Sequence, residues 1–213
     1  MERPKAIFLL IAFTVMNSGF ESRRTSYDYA SIKIGAKGWM IEDLNVTRFR
    51  NGDAIPEARG EKAWDEAAEK GQPAWSYYND DPGRASRYGR YYNWYAVVDP
   101  RGIAPKGWHV SRVEDWNDLF NTMGGIEEAC LTRDIQDAVF LDVDGNEHIG
   151  FPVLCGYHWG GKSHGAYIDG VGFYWTSDTH DNFCVELSPR NLGCLINNKR
   201  EKSMGFKVRC VED

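Results

Sequence analysis

The spacing of apolar residues changes along this chain, and each change predicts an element. Ala6 to Met16 is mostly apolar with no interruption. Ile32-Lys33-Ile34-Gly35 alternates and Trp39-Met40 follows Gly38, which predicts a hairpin-like entry. Leu44 to Phe49 alternates into Asn51-Gly52, the strongest short turn signal of the chain. Glu61 to Lys70 predicts a short helix stopped by Gly71, with Trp64 packed inward. Gln72 to Arg87 is expected as a surface loop. Ser111 to Phe120 predicts a second helix, with Ser111 and Glu114 as a capping box and Val113, Trp116, Leu119 and Phe120 on one face. Gly124-Gly125 ends it. From Leu131 onward the pattern is short strands and Gly-rich turns. Strands are expected at Val139 to Leu141, Ile149 to Leu154, Phe173 to Trp175, Phe183 to Leu187, Leu192 to Ile196 and Phe206 to Val211. The sum is an α+β domain of short antiparallel strands with two short helices and long loops.

Two strings fit neither period. Gly89 to Val97 and Ala104 to Val110 set bulky aromatics among Gly, Asn and Pro, too irregularly for a helix or a simple alternating strand. They are expected to fill a loop-rich core, since Tyr and Trp bring apolar area and a polar tip for nearby backbone. Trp94 and Trp108 are therefore expected in the core.

Composition narrows the partners. The formal net charge is −6, so nucleic acid, which requires clustered Lys and Arg, is not an expected partner. At 213 residues the chain fits one well-filled domain. The apolar run after Met1-Glu2-Arg3-Pro4-Lys5, followed by Ser18 and Gly19, has the layout of a secretory signal peptide. It is shorter than the roughly 20 residues that a spanning helix needs. Residues 1–20 are expected to be removed, leaving a domain at 27–213 without a transmembrane span. The mature protein would be periplasmic, at the cell surface or secreted.

The cysteines are Cys130, Cys155, Cys184, Cys194 and Cys210. Export permits disulfides, and the odd number leaves at least one thiol unpaired within a monomer. Cys184 and Cys194 flank a turn-like Ser188-Pro189-Arg190-Asn191, and strands symmetric about Pro189 would set them opposite each other. They are the expected disulfide. No Cys-x-x-Cys occurs.

Three blocks resemble a known family. Ile34-Gly35 with Trp39 to Thr47 and Phe49 to Asp53 is the first, Tyr91 to Val97 the second, and Gly107 to Val110 with Glu114 and Trp116 the third. Gly150-Phe151-Pro152, Gly156-Tyr157, Phe173 to Ser177 and Gly205 to Val211 complete the pattern. It resembles the Fibrobacter succinogenes major paralogous domain, over roughly Ile32 to Asp213. The resemblance implies a C-type-lectin-like fold, of the kind shared with formylglycine-generating enzymes and variable receptor proteins. It also implies an exported protein of the kind common in Bacteroidota. Cys155 stands where relatives often carry Pro or Gly, a departure from the family pattern.

Candidate chemistry is sparse. No Ser-His-Asp order, nucleophile elbow or phosphate loop occurs, so no catalytic residue is assigned and an enzyme is not the expected reading. Cys184 and Cys194 are also too far apart to match the close cysteine pair of the formylglycine-generating relatives. No cofactor is expected. Asp142-Val143-Asp144-Gly145-Asn146-Glu147 offers the hard oxygens calcium takes, but the hairpin-turn reading is preferred. Cys155, His158 and His164 lack the spacing of a standard metal site. The remaining constellation is a recognition surface. Trp175, Asp178, His180 and Asn182, with Asn191 and Asn197 on the following turns, combine an aromatic with adaptable hydrogen-bonding groups. The expected function is an envelope or surface protein that binds a glycan or a protein through these C-terminal loops. The alternative is a structural or assembly subunit of an envelope complex, and an oxidase of the formylglycine-generating type is third.

Overall fold

The computed structural model describes residues 29–84, 89–126, 139–141, 147–149, 172–178, 183–188 and 193–213. In chain order the elements are β1 (Ser31–Ile34), β2 (Lys37–Met40), α1 (Gly60–Glu69), β3 (Trp75–Tyr77), β4 (Arg90–Tyr92), α2 (Trp94–Val97), β5 (Trp108–Val110) and α3 (Val113–Thr122). There follow β6 (Val139–Leu141), β7 (Glu147–Ile149), β8 (Gly172–Trp175), β9 (Phe183–Ser188), β10 (Gly193–Lys199), β11 (Lys207–Val208) and β12 (Cys210–Glu212). They form a four-stranded sheet of order β1-β2-β12-β5, a second of order β10-β9-β8-β11, and the hairpins β3-β4 and β6-β7. All ladders are antiparallel except β8 with β11. This is the α+β class that the hydrophobic pattern predicts.

One segment joins the parts. Phe206 exchanges backbone hydrogen bonds with Tyr92 of the β3-β4 hairpin at 2.9 and 3.0 Å. Lys207 and Val208 pair with Tyr174 and Trp175 in the second sheet. Cys210 to Glu212 then lie between β2 and β5 in the first. Because strand side chains alternate, Phe206, Val208 and Cys210 enter one hydrophobic cluster and Val211 another. Phe206 rests on Trp175 and Phe173, with ring centroids 4.5 and 5.1 Å apart. Burying an apolar side chain of this size contributes roughly 1.5–3 kcal/mol.

The two longer helices are built on the predicted sequences with shifted starts. α3 begins at Val113, and its first N–H groups are met by carboxylates: Arg112 N–H donates to Asp115 at 2.7 Å and Val113 N–H to Asp178 at 2.9 Å. Ser111 is no cap. Its hydroxyl accepts the Trp116 indole N–H at 2.9 Å, deep in the core. Asp115, one residue beyond the expected Glu114, makes the reciprocal contact. In α1, Trp64 is buried and donates its indole N–H to Ser203 O at 2.6 Å.

Trp94 and Trp108 are buried, as the aromatic strings predict. Those strings do hold regular structure, however. Arg90–Tyr92 pairs with β3, and Asn93 starts the single turn α2 by accepting from Ala96 N–H at 3.0 Å. The same amide oxygen takes Ala74 N–H, and the amide nitrogen donates to Gln72 O. One fully buried Asn thus replaces the longer run of apolar spacing that a helix normally shows. The expected surface loop at Gln72 to Arg87 is also corrected, since Ala74, Trp75, Ser76 and Tyr78 are buried. The Asn51-Gly52 turn forms, with Gly52 at φ +94°, but only one bridge, Arg48 with Ala54, flanks it in place of a ladder.

Candidate functional site

The polypeptide leaves β8 through Thr176, Ser177 and Asp178, and each is tied down. Thr176 is buried. Ser177 donates its hydroxyl to Val110 O at 2.7 Å and its N–H to Ser111 O at 3.1 Å. Asp178 caps α3. Residues 179–182 then join β8 to β9, where Phe183 pairs with Lys199 and Cys184 with Asn198. The start of β9 and the end of β10 therefore share one end of the second sheet with Asp178. Residues 189–192 join β9 to β10 at the other end, roughly 17 Å away at about 3.3 Å per residue.

This geometry divides the six expected ligand contacts. Trp175 is corrected to a core residue: it has no exposed surface, and its indole N–H donates to Tyr92 O at 2.9 Å. Asp178 is half-buried and spends its carboxylate on the helix start. Asn197 lies in β10 at a bulge, where three steps from Leu195 to Asn198 oppose two from Glu186 to Cys184. His180, Asn182 and Asn191 lie outside the described residues.

The expected disulfide is corrected as well. The ladder sets Cys194 opposite Leu187 and Cys184 opposite Asn198. This register is not symmetric about Pro189, so the two cysteines are displaced along the strands beyond bridging reach. Cys184 and Cys210 are free and buried, and burial pushes both thiols up to about 12. Neither supplies a thiolate at neutral pH. Of the other candidates, Asp142 to Asn146, Cys155, His158 and His164 lie outside the described residues. β6 and β7 pair around the first of these, as a hairpin requires.

The family model for the Fibrobacter succinogenes major domain matches residues 32–212. The chain belongs to this family. No curated protein and no solved structure matches it. In this Fibrobacter succinogenes major domain, no helix among the described residues is long and apolar enough to cross a membrane.

Two polar constellations escape the sequence reading. Asp43 receives Lys207 Nζ at 2.7 Å and lies 2.6 Å from the Arg209 guanidinium, all three nearly inaccessible. Burial alone would raise the Asp43 pKa, but Arg209 and Lys207 outweigh it and hold the carboxyl below its usual range. Two cations at alternate positions of an apolar strand were the available signal, because charges buried there require a partner. The second joins β2, β5 and α3. Lys37 Nζ reaches Asp115 at 2.7 Å and Asp118 at 2.8 Å, while His109 lies between Asp115 at 3.3 Å and Asp213 at 3.1 Å.

Among the described residues, several aromatic faces lie under a cation. Arg90 lies over Trp75 at 4.7 Å and Tyr77 at 5.1 Å, Arg101 over Phe49 at 4.1 Å, and Lys202 over Trp94 at 4.4 Å. The described tryptophans are at most 8% exposed. A flat indole face for stacking on a sugar ring is therefore not found among them.

Proposed function

We propose that this domain is an exported cell-envelope or surface-binding module of C-type-lectin-like architecture. It recognises a glycan or a protein at the Asp178 end of its second sheet, through His180, Asn182 and Asn197. One observation carries this reading. Both flanks of residues 179–182 are anchored, by Ser177 and Asp178 to β5 and α3 on one side and by the β9-β10 ladder on the other. A short polar sequence held between anchored flanks is what recognition by loops requires. Asp178 acts in it as an anchor. The covering of the aromatic rings among the described residues favours a protein partner over sugar stacking, and so supports the assembly-subunit reading too. The apolar run at Ala6 to Met16 supports export, with residues 1–20 removed.

Capture from native envelope tests the binding. A His180→Ala/Asn182→Ala/Asn197→Ala protein should keep its fold and lose the captured partner, and unchanged capture would place the site elsewhere. Glycan-array binding by the free protein would select the sugar reading. N-terminal sequencing of exported protein tests processing, and a retained Met1 would overturn it.

A further inference from the structure

Residues 205–211 are buried without a break, and they serve three sheets at once. Take Phe206–Glu212 away, and the first sheet is reduced to the β1-β2 hairpin and a separate β5, while β8 loses its parallel neighbour. Asp43 loses both Lys207 and Arg209. We propose that Phe206–Glu212 is a closing strap: the two sheets and α3 consolidate in one step when it inserts, and Asp43 holds the slot open until then.

The chemistry of the slot carries this. A carboxylate confined in a buried site without its cations is strongly penalised, so the slot resists collapsing onto itself while it is empty. The strap brings the two cations on one face and Phe206, Val208 and Cys210 on the other. A slip of one residue would turn the cations into the apolar cluster, so Asp43 also fixes the register. Lys207 and Asp43 are 164 residues apart in sequence, and contacts that distant form only after a long loop closes. For a chain that crosses a membrane before folding, this order would keep the earlier residues open during passage. That use rests on the export proposed above, whereas the strap itself does not.

Ribosome-held chains carrying all 213 residues and a C-terminal spacer of increasing length test the order directly. Protease resistance is expected only at spacer lengths that bring Glu212 out of the exit tunnel. Resistance with the strap still inside would overturn the proposal. Hydrogen exchange on the released protein gives a second reading. The amides of Leu44, Tyr92 and Ser111 donate to strap carbonyls of Val208, Phe206 and Arg209. They should exchange at one common slow rate, because opening the strap opens all three places. Rates that differ among them by more than about ten-fold would mean independent openings and would also overturn it. N-terminal processing is measured separately, so a retained leader would leave the strap result standing.

Discussion

The helices α1 and α3 are built to one recipe and hold very different positions. Each has ten residues and an Arg at its N-cap. Each has its first helical N–H met by a distant aspartate, Asp80 to Gly60 in α1 and Asp178 to Val113 in α3. Both end on a glycine at positive φ, Gly71 and Gly124, with the following N–H returning to the carbonyl three residues before the cap. Each buries one tryptophan with its N–H bonded. The difference is what surrounds that tryptophan. Trp64 belongs to a small cluster with Ala58, Ala74, Tyr78 and Tyr91. Trp116 meets Trp39 of the first sheet at 5.1 Å and Tyr174 of the second at 5.5 Å, with Leu119 and Phe120 beside it. Identical ends therefore do not confer equal importance. The apolar face does, and only α3 carries one wide enough to join both sheets.

Truncation of the two tryptophans should show the largest contrast. Trp116→Ala should cost about 4–5 kcal/mol and Trp64→Ala nearer about 3 kcal/mol, the upper and lower parts of the range for a buried aromatic. Urea unfolding measures both, and equal losses would break the comparison. The aspartate caps come next. Asp178→Ala should cost about 1 kcal/mol, as removal of a helix cap does. Asp80→Ala should cost roughly 1 kcal/mol more, because Asp80 sits at φ +55°, a conformation that Asp tolerates better than Ala. Thermal melts of Asp80→Gly should fall between the two.

At the other ends, Gly71→Ala and Gly124→Ala should each cost about 1 kcal/mol, since both glycines hold positive φ. Similar shifts in their denaturation midpoints would show that the C-termini are as alike in energy as in geometry. The smallest effect separates the helices by pH. Burial would raise the Asp115 pKa, but Lys37 and the Arg112 N–H outweigh it and hold the carboxyl below its usual range. A depressed folded-state pKa gives stability that is present above the unfolded value, near 3.9, and lost as pH falls through the folded one. Lys37→Met should therefore cost less than about 1 kcal/mol at pH 7 and should flatten the loss of stability below about pH 4. Denaturant midpoints measured across that window check it. An unchanged acid slope would mean that Lys37 is not the partner that matters.

The parts of this fold written in local periodicity could be read from the chain. α3 follows from its i, i+3, i+4 apolar face, α1 from a short run with one inward tryptophan, and both from their glycine stops. β8, β9 and the strand pattern before Val211 follow from short runs between turn residues. What could not be read depends on distant partners. Asp178 looks like a loop residue until β8 brings it to α3, and Trp175 looks like a ligand platform until Phe206 covers it. The Cys184–Cys194 expectation failed because the register is not symmetric about Pro189, and Cys194 falls opposite Leu187. The candidate site was legible as a polar segment between strands, but its anchoring was not.

The covered indoles have an optical consequence. Seven of the eight tryptophans lie in the described residues, spread over all three hydrophobic clusters. Each is shielded from water in the native state and would become hydrated on unfolding. The emission of these seven should therefore sit toward the blue when folded and move to the red as any cluster opens. One spectrum, with no added dye or label, would report on the whole core. A probe of α1 alone would need the others silenced, leaving Trp64 as the only emitter among them.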